Sequence, residues 1–415
     1  ELSGPGAVTV TAGDPQPPAD SDGDGIPDSE DNCPNEWGPA SNGGCPEESG
    51  GGGEPPPVGS GYDDSIVGPL ASITCPAGAV TINAGGSISS AASNNPEGTT
   101  FCIKAGTYYG QQVNPKTNQT FVGEKGAIMD GQNSTTYAFF GSGSGAHNVT
   151  IKNLEIKNYT PPIYRGAITM YDSGADWWAD PYWGPGGWQV INCDVHHNIG
   201  TGITLHRDNA LVENTRMNNN GQVGINFRYG NNQKAKNNEI AYNDPTIIGE
   251  TWGNEGGASK FWETRDLILD GNWVHHNEGP GLWADHGNSG TIYSNNTVEH
   301  NLAAGIFHEI SYSATVFGNT VINNGHGWTG WVWGSGIQIA NGGPIEIYDN
   351  YLLDNYNGIT FNDRNRGYGP LSGNVYNNEI HNSGAVGAAA SEGATLVPGA
   401  ITWSNNILTG NSYWY

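Results

Sequence analysis

From about residue 63 to the end of the chain, apolar residues do not recur at helical spacing. They form short runs that alternate with polar residues and are closed by Asn or Gly. Such alternation turns one face of a strand into a core and the other outward. Four segments show the rhythm: "NWVHHNEGPGLWADHGN", "NTVEHNLAAGIFHEISY", "NTVINNGHG…GSGIQIANG" and "NYLLDNYNGITFNDRN". They begin at Asn272, Asn296, Asn319 and Asn350, and each carries a second Asn five residues on, at Asn277, Asn301, Asn324 and Asn355. The steps are 24, 23 and 31 residues, the last lengthened by an insertion. A period of twenty-odd residues built from short strands predicts a solenoid of stacked coils. Asn tolerates a left-handed turn and can hydrogen-bond to the next Asn along the stack.

A strand follows the Gly of each repeat: "GITLHR", "GINFRY", "GASKFW", "GLWADH", "GIFHEI", "GIQIAN" and "GITFND". The residue after Gly points inward, so the fourth after Gly points out. That outward row reads His206, Arg228, Lys260, Asp285, Glu309, Ala340 and Asn362, with Gly256 setting the register of the third strand. Starting from Gly257 instead turns Lys260 inward, where an unpaired charge is costly. A second outward row, two residues earlier, reads Thr204, Asn226, Ala258, Trp283, Phe307, Gln338 and Thr360. Coils are about 4.8 Å apart. Arg228, Lys260, Asp285 and Glu309 therefore form a ladder of charges beside Trp283 and Phe307. Glu255 lies just upstream, and His206 ends the row as an auxiliary acid or base.

Three insertions, at 172–187, 244–257 and 326–335, carry Trp177, Trp178, Tyr182, Trp183, Trp252, Trp328, Trp331 and Trp333. Loops on a solenoid cluster on its functional face, and aromatic faces stack on sugar rings. These residues predict a long cleft with aromatic walls and a charged floor. The "VHHN" pairs, His196 with His197 and His275 with His276, read as stacked turn positions rather than metal ligands.

Composition narrows the partners. Lys and Arg total 15 against 41 acidic residues, a formal charge of −26, which disfavours nucleic acid. No apolar run is long enough for a membrane span. Of the five Cys, Cys33 and Cys45 lie close together, as do Cys75 and Cys102, so each pair could close a loop. Such local pairs favour an oxidising, extracytoplasmic setting. Cys193 reads as a small buried residue. The strand-like "GAVTVTAG" at 6–13, with no signal peptide ahead of it, reads as the end of a preceding domain in a larger exported protein.

"DSDGDGIPDSEDNCP" places Asp20, Asp22, Asp24, Asp28 and Asp31 in one loop, oxygen donors suited to a hard cation. The spacing resembles a thrombospondin type 3 repeat, which implies structural calcium. The chain then divides into a remnant or linker at 1–19, a calcium-binding segment at 20–48, a Gly/Pro linker at 49–62 and a solenoid at 63–415. The solenoid, with its opening "FCIKAGTYYGQQV…GEKGAIMDG", resembles the pectate-lyase-like superfamily. The resemblance implies an all-β, right-handed parallel β-helix, secreted and carbohydrate-active.

Hydrolysis by Asp285 and Glu309 is the preferred chemistry, on an oligosaccharide or polysaccharide, by a monomer. The alternative is a lyase or epimerase acting on a uronate polymer. There Lys260 serves as base, Arg228 assists, and Asp285, Glu309 and Glu255 hold calcium in the cleft. Nearby carboxylates oppose this by favouring the ammonium form of Lys260. A non-catalytic carbohydrate-binding solenoid needs the aromatic cleft alone.

Overall fold

The computed structural model describes residues 73–142, 145–171, 185–251, 253, 255–330, 332–392 and 394–414, with Ser29 and Gly68. The expected calcium segment with Asp20, Asp22, Asp24, Asp28 and Asp31 lies outside the described residues, as do Cys33, Cys45 and the linkers. So do Trp177, Trp178, Tyr182, Trp183, Trp252 and Trp331.

The repeats fold as a right-handed parallel β-helix. Each coil contributes one strand to each of three sheets, and each strand pairs in parallel with the strand one coil on. Among the described residues the sheets hold 13, 12 and 11 strands, so a given position in the coil becomes a long column. The strands of the third sheet that matter below are Thr201–His206, Val223–Asn231, Gly257–Arg265, Leu282–Asp285, Ile306–Glu309, Ser335–Ala340 and Asn357–Asp363. Inward columns such as Ile203, Ile225, Leu282, Ile306, Ile337 and Ile359 are fully buried.

The two Asn series are ladders at two corners of the coil. The Asn272 side-chain N–H donates to Asn296 at 2.9 Å, Asn296 to Asn319 at 2.9 Å, and Asn319 to Asn350 at 2.9 Å. The second ladder joins Asn277, Asn301, Asn324 and Asn355 in the same way. Each amide also serves backbone groups that the turn strips of partners, as Asn296 does for Leu269 O and the Asn272 N–H. Just before each ladder residue stands one with positive φ, an Asn, Gly, Asp or His. His197, His276 and His300 occupy such places, and the His276 and His300 rings stack at 4.8 Å. Of the two pairs, His197 and His276 are turn residues as expected, whereas His196 and His275 end the strands before them.

The recurring Gly has a steric cause. A Cβ on Gly281 would stand 2.4 Å from the Gly305 carbonyl oxygen, and one on Gly224 would stand 2.7 Å from Ile240. The corner leaves no room for a side chain. One feature departs from the expected all-strand pattern. Residues Ile88–Asn94 form a short helix, N-capped by Ser87, that buries Ile88 and Ala92 against the first coils. Cys75 and Cys102 form a disulfide there. Cys193 is free and buried, and burial pushes its thiol up to about 12, so it packs as the sequence suggests. Among the described residues no helix is long and apolar enough to cross a membrane.

Candidate functional site

The register of the third sheet builds the site and corrects one strand of it. His206 pairs Arg228, Arg228 pairs Trp262, Trp262 pairs Asp285, and Asp285 pairs Glu309. Trp262, not Lys260, therefore fills the place between Arg228 and Asp285. Lys260 pairs Asn226 and belongs to the second row, in the place the sequence reading gave to Ala258. The cause is a missing Gly. Ser259 pairs Ile225, so Ala258 takes the corner position that Gly occupies in neighbouring coils. Gly256 lies before the strand and packs on Pro245, and Gly257 opens the strand with φ +130°. A two-residue shift preserves side-chain parity, so Lys260 still points outward.

From the second row Lys260 reaches across to the first. Its Nζ is 2.7 Å from Asp285 Oδ2 and 3.2 Å from the centre of the Trp283 ring. The ammonium group is thus held by a carboxylate and by an aromatic face. Trp283 stacks on Phe307 at 5.5 Å and donates its indole N–H to Glu309 Oε2 at 3.3 Å. Glu309 Oε1 meets Arg366 Nη1 at 2.5 Å. Each carboxylate therefore has its own cation, and Asp285 keeps one oxygen, Oδ1, without a hydrogen-bond partner. Glu309 is pushed up from the ordinary carboxylate range, first by burial and then by the charge of Asp285. These outweigh the downward pull of Lys260 and Arg366.

Farther along the row, Arg228 binds Glu255 at 2.9 Å and Asn226 at 3.0 Å, with its guanidinium near the rings of Tyr164 and Trp262. Glu255 reaches the row as expected. His206 holds its place in the row but is buried. Burial, with Arg228, Arg165 and Arg207 near it, pulls it well below the ordinary imidazole value. His308 is an inward core residue, between the Tyr293 hydroxyl and the Tyr312 carbonyl, and burial lowers it to about 4.

The aromatic residues differ from expectation. Trp283 and Phe307 are buried rather than open platforms. The loop residues Trp328 and Trp333 stack on each other at 4.6 Å and set their edges on Phe307. These four form a small apolar cluster with Ala304 and Ala340. Burial of large rings inside an insertion is favourable enough to take them from the cleft wall. Lys260 is sealed as well, at 2 % side-chain exposure, whereas Asp285 retains 16 % and Glu309 11 %.

The residue that sequence reasoning missed is Arg366. It lies in the segment 364–370, after the strand Asn357–Asp363, and binds a carboxylate 57 positions earlier in the chain. Arg364, two residues before it, pairs Glu392 and lies over Trp333. Tyr368, two residues after it, sets its ring edge-on to His286 and Tyr312. The signal was "DRNRGYG", a loop holding two of the chain's few cations.

Comparison with known proteins agrees with this architecture. A family model described as right handed beta helix region matches residues 182–335. No curated protein sequence matches the chain. Solved structures do. The catalytic unit of a thermostable GH87 alpha-1,3-glucanase from Streptomyces thermodiastaticus strain HF3-3 aligns with a TM-score of 0.57 and 17% identity, over 83% of this chain and 71% of that one. The A-module of the Azotobacter vinelandii mannuronan C-5 epimerase AlgE4 aligns with a TM-score of 0.58 and 15% identity, over 79% and 91%. A GH87 alpha-1,3-glucanase catalytic domain in complex with nigerose aligns with a TM-score of 0.55 and 16% identity, over 83% and 67%. The likeness is one of fold.

Proposed function

We propose that the chain is an extracytoplasmic enzyme that cleaves glycosidic bonds in a polysaccharide by hydrolysis, with Glu309 as the acid and Asp285 as nucleophile or base. The observation that carries this reading is the pair itself. Two carboxylates, Asp285 half-buried and Glu309 buried, stand on adjacent coils, in register, in different surroundings. Glu309 is biased toward its protonated form, while Asp285 faces the Lys260 ammonium group and keeps one oxygen, itself buried, without a hydrogen-bond partner. Hydrolysis of a glycoside needs a proton for the leaving oxygen and an anion on the other carboxyl group. The neighbours with this fold include a glucanase and an epimerase, which supports a carbohydrate substrate. The Cys75–Cys102 disulfide supports an oxidising compartment. The five aspartates at 20–31 suit structural calcium, as oxygen-only donors do.

Lyase or epimerase chemistry remains the second reading, because a mannuronan epimerase module shares the fold. Lys260 serves it poorly as a base, being sealed and paired with Asp285 at 2.7 Å. Calcium in the cleft meets a related obstacle, since Glu255, Asp285 and Glu309 each already face a cation. The test is incubation with α- and β-glucans, xylan and alginate, followed by assay of reducing ends and of ultraviolet absorbance from unsaturated uronates. New reducing ends without absorbance support hydrolysis, and both together support a lyase. A changed uronate composition without cleavage supports an epimerase. Binding with none of these leaves a non-catalytic carbohydrate-binding solenoid.

A further inference from the structure

The two corners that carry the Asn ladders fill their left-handed positions mostly with Asn or Gly, the residues that adopt it at least cost. The end of the third-sheet strands and the corner after them mix such residues, among them Asn209, Asn232, Gly287, Gly290 and Asn341, with Arg207, Tyr229, Glu263, His286 and Ile310. A larger side chain held at positive φ beside Asp285 and Glu309 is a place to look for function. Two of them, Glu263 and His286, are matched across adjacent coils, the Glu263 N–H donating to the His286 carbonyl at 2.9 Å. His286 Nδ1 stands 2.8 Å from Glu263 Oε1, close enough for an ion pair though off the line of a straight hydrogen bond. The His286 ring has Trp262 edge-on at 5.2 Å and Tyr368 edge-on at 5.6 Å. It directly follows Asp285 in the chain and keeps 40 % side-chain exposure, far more than either carboxylate of the pair.

We infer that His286 is a substrate-contacting residue of this cleft, donating from Nε2 to an acceptor oxygen of the sugar unit beside the bond cleaved, and that Glu263 is the residue that positions it. The inference rests on the proposed carbohydrate function. An imidazole pinned through Nδ1 presents Nε2 in one orientation, which a ring free to turn cannot do. The groups that face His286 are Glu263 and Asp285, with Tyr368 across the ring and Arg366 behind Tyr368. The partner Glu263 raises the imidazole above its ordinary value, so the ring carries its donor proton over a wider pH range. The acceptor is a sugar hydroxyl in a neutral glycan or a carboxylate in a uronate, and the two are separated by experiment.

Oligosaccharides of α-glucan, β-glucan, xylan and alginate are added in turn to the full chain carrying Glu309→Gln. The imidazole NMR signals are followed, with those of His286 assigned by His286→Gln. The expected result is a shift of the His286 signals with one glycan, and about tenfold weaker binding of that glycan to the variant lacking the imidazole, as for one lost charge-assisted bond. Alginate as the responding glycan identifies a carboxylate acceptor, and a neutral glycan identifies a hydroxyl. Glu263→Gln is expected to weaken binding of that glycan when His286 is present and to weaken it no further beside His286→Gln, a coupling that a purely structural role does not produce. If the wild-type chain cleaves a glycan that leaves His286 undisturbed, the inference fails while the hydrolase reading stands. If His286 responds to a glycan that the wild type never cleaves, the inference holds and the hydrolase reading fails. No response to any of the four overturns the inference.

Discussion

Glu309 and Asp285 are the same functional group in two surroundings, and the difference is testable through stability. For a carboxyl raised on folding, the native state holds more protons than the unfolded chain between the two pKa values. Stability therefore falls as pH rises through that window, and the cost is present in full above the folded pKa. Glu309→Gln removes the buried charge while its amide oxygen can still accept the Trp283 N–H, and Arg366 is exposed enough to be solvated. The expected outcome near neutral pH is a melting temperature no lower than wild type, with hydrolysis down at least about a hundredfold. A variant that is both inactive and strongly destabilised marks Glu309 as structural. Lys260→Met predicts the reverse signature. It strands Asp285 beside apolar rings, so unfolding by urea is expected about 3 kcal/mol earlier, as when one partner of a buried pair is removed. Adding Asp285→Asn to Lys260→Met is expected to restore part of that loss. Full additivity of the two changes counts against the ion pair.

Elements reach further into the sequence than side-chain contacts do, and the reason is periodicity. Asn272, Asn296 and Asn319 are legible because each repeats a local need, an amide at a left-handed turn, in every coil. Asp285 and Glu309 were found because register follows from the repeating Gly, and Gly281 and Gly305 are steric requirements. Lys260 was misplaced by two positions because Ala258 interrupts that column, so the local pattern lost its marker. Arg366 was invisible for a different reason. It reaches Glu309 from a loop, and no period relates a loop to the strand it touches. The collapse of Trp328 and Trp333 onto Phe307 is likewise a packing outcome that a count of aromatic residues does not contain. The ladders also yield a prediction. Asn296→Ala removes the acceptor of the Asn272 backbone N–H and the side-chain donor to the Leu269 carbonyl. The expected loss is about 2–4 kcal/mol. Gly281→Ala forces a Cβ against the Gly305 carbonyl and is expected to cost about 1–3 kcal/mol by overpacking. Chemical denaturation measures both, and a neutral Asn296→Ala sinks the ladder's energetic role.

Across the whole solenoid, stability is a sum over neighbouring coils, so the two ends need not open together. The early coils are closed by the helix Ile88–Asn94 and the Cys75–Cys102 disulfide over a fully buried Phe101. The last described coil is only half buried, with Trp403 and Leu408 partly exposed and Ile407 more so. That coil buries less apolar surface than the coils around the site. This matters for the site because the segment 364–370, which brings Arg366 to Glu309, is tied by Arg364 to Glu392 in that later part of the chain. The Arg364–Glu392 pair is exposed and contributes little to global stability. Glu392→Ala should thus leave the melting temperature essentially unchanged while hydrogen exchange in residues 364–370 rises, with amides of Leu282–Asp285 and Ile306–Glu309 still protected. Unaltered exchange in that segment means that Arg366 and Tyr368 hold it by themselves, and that the end of the solenoid has no hand in how Glu309 is covered.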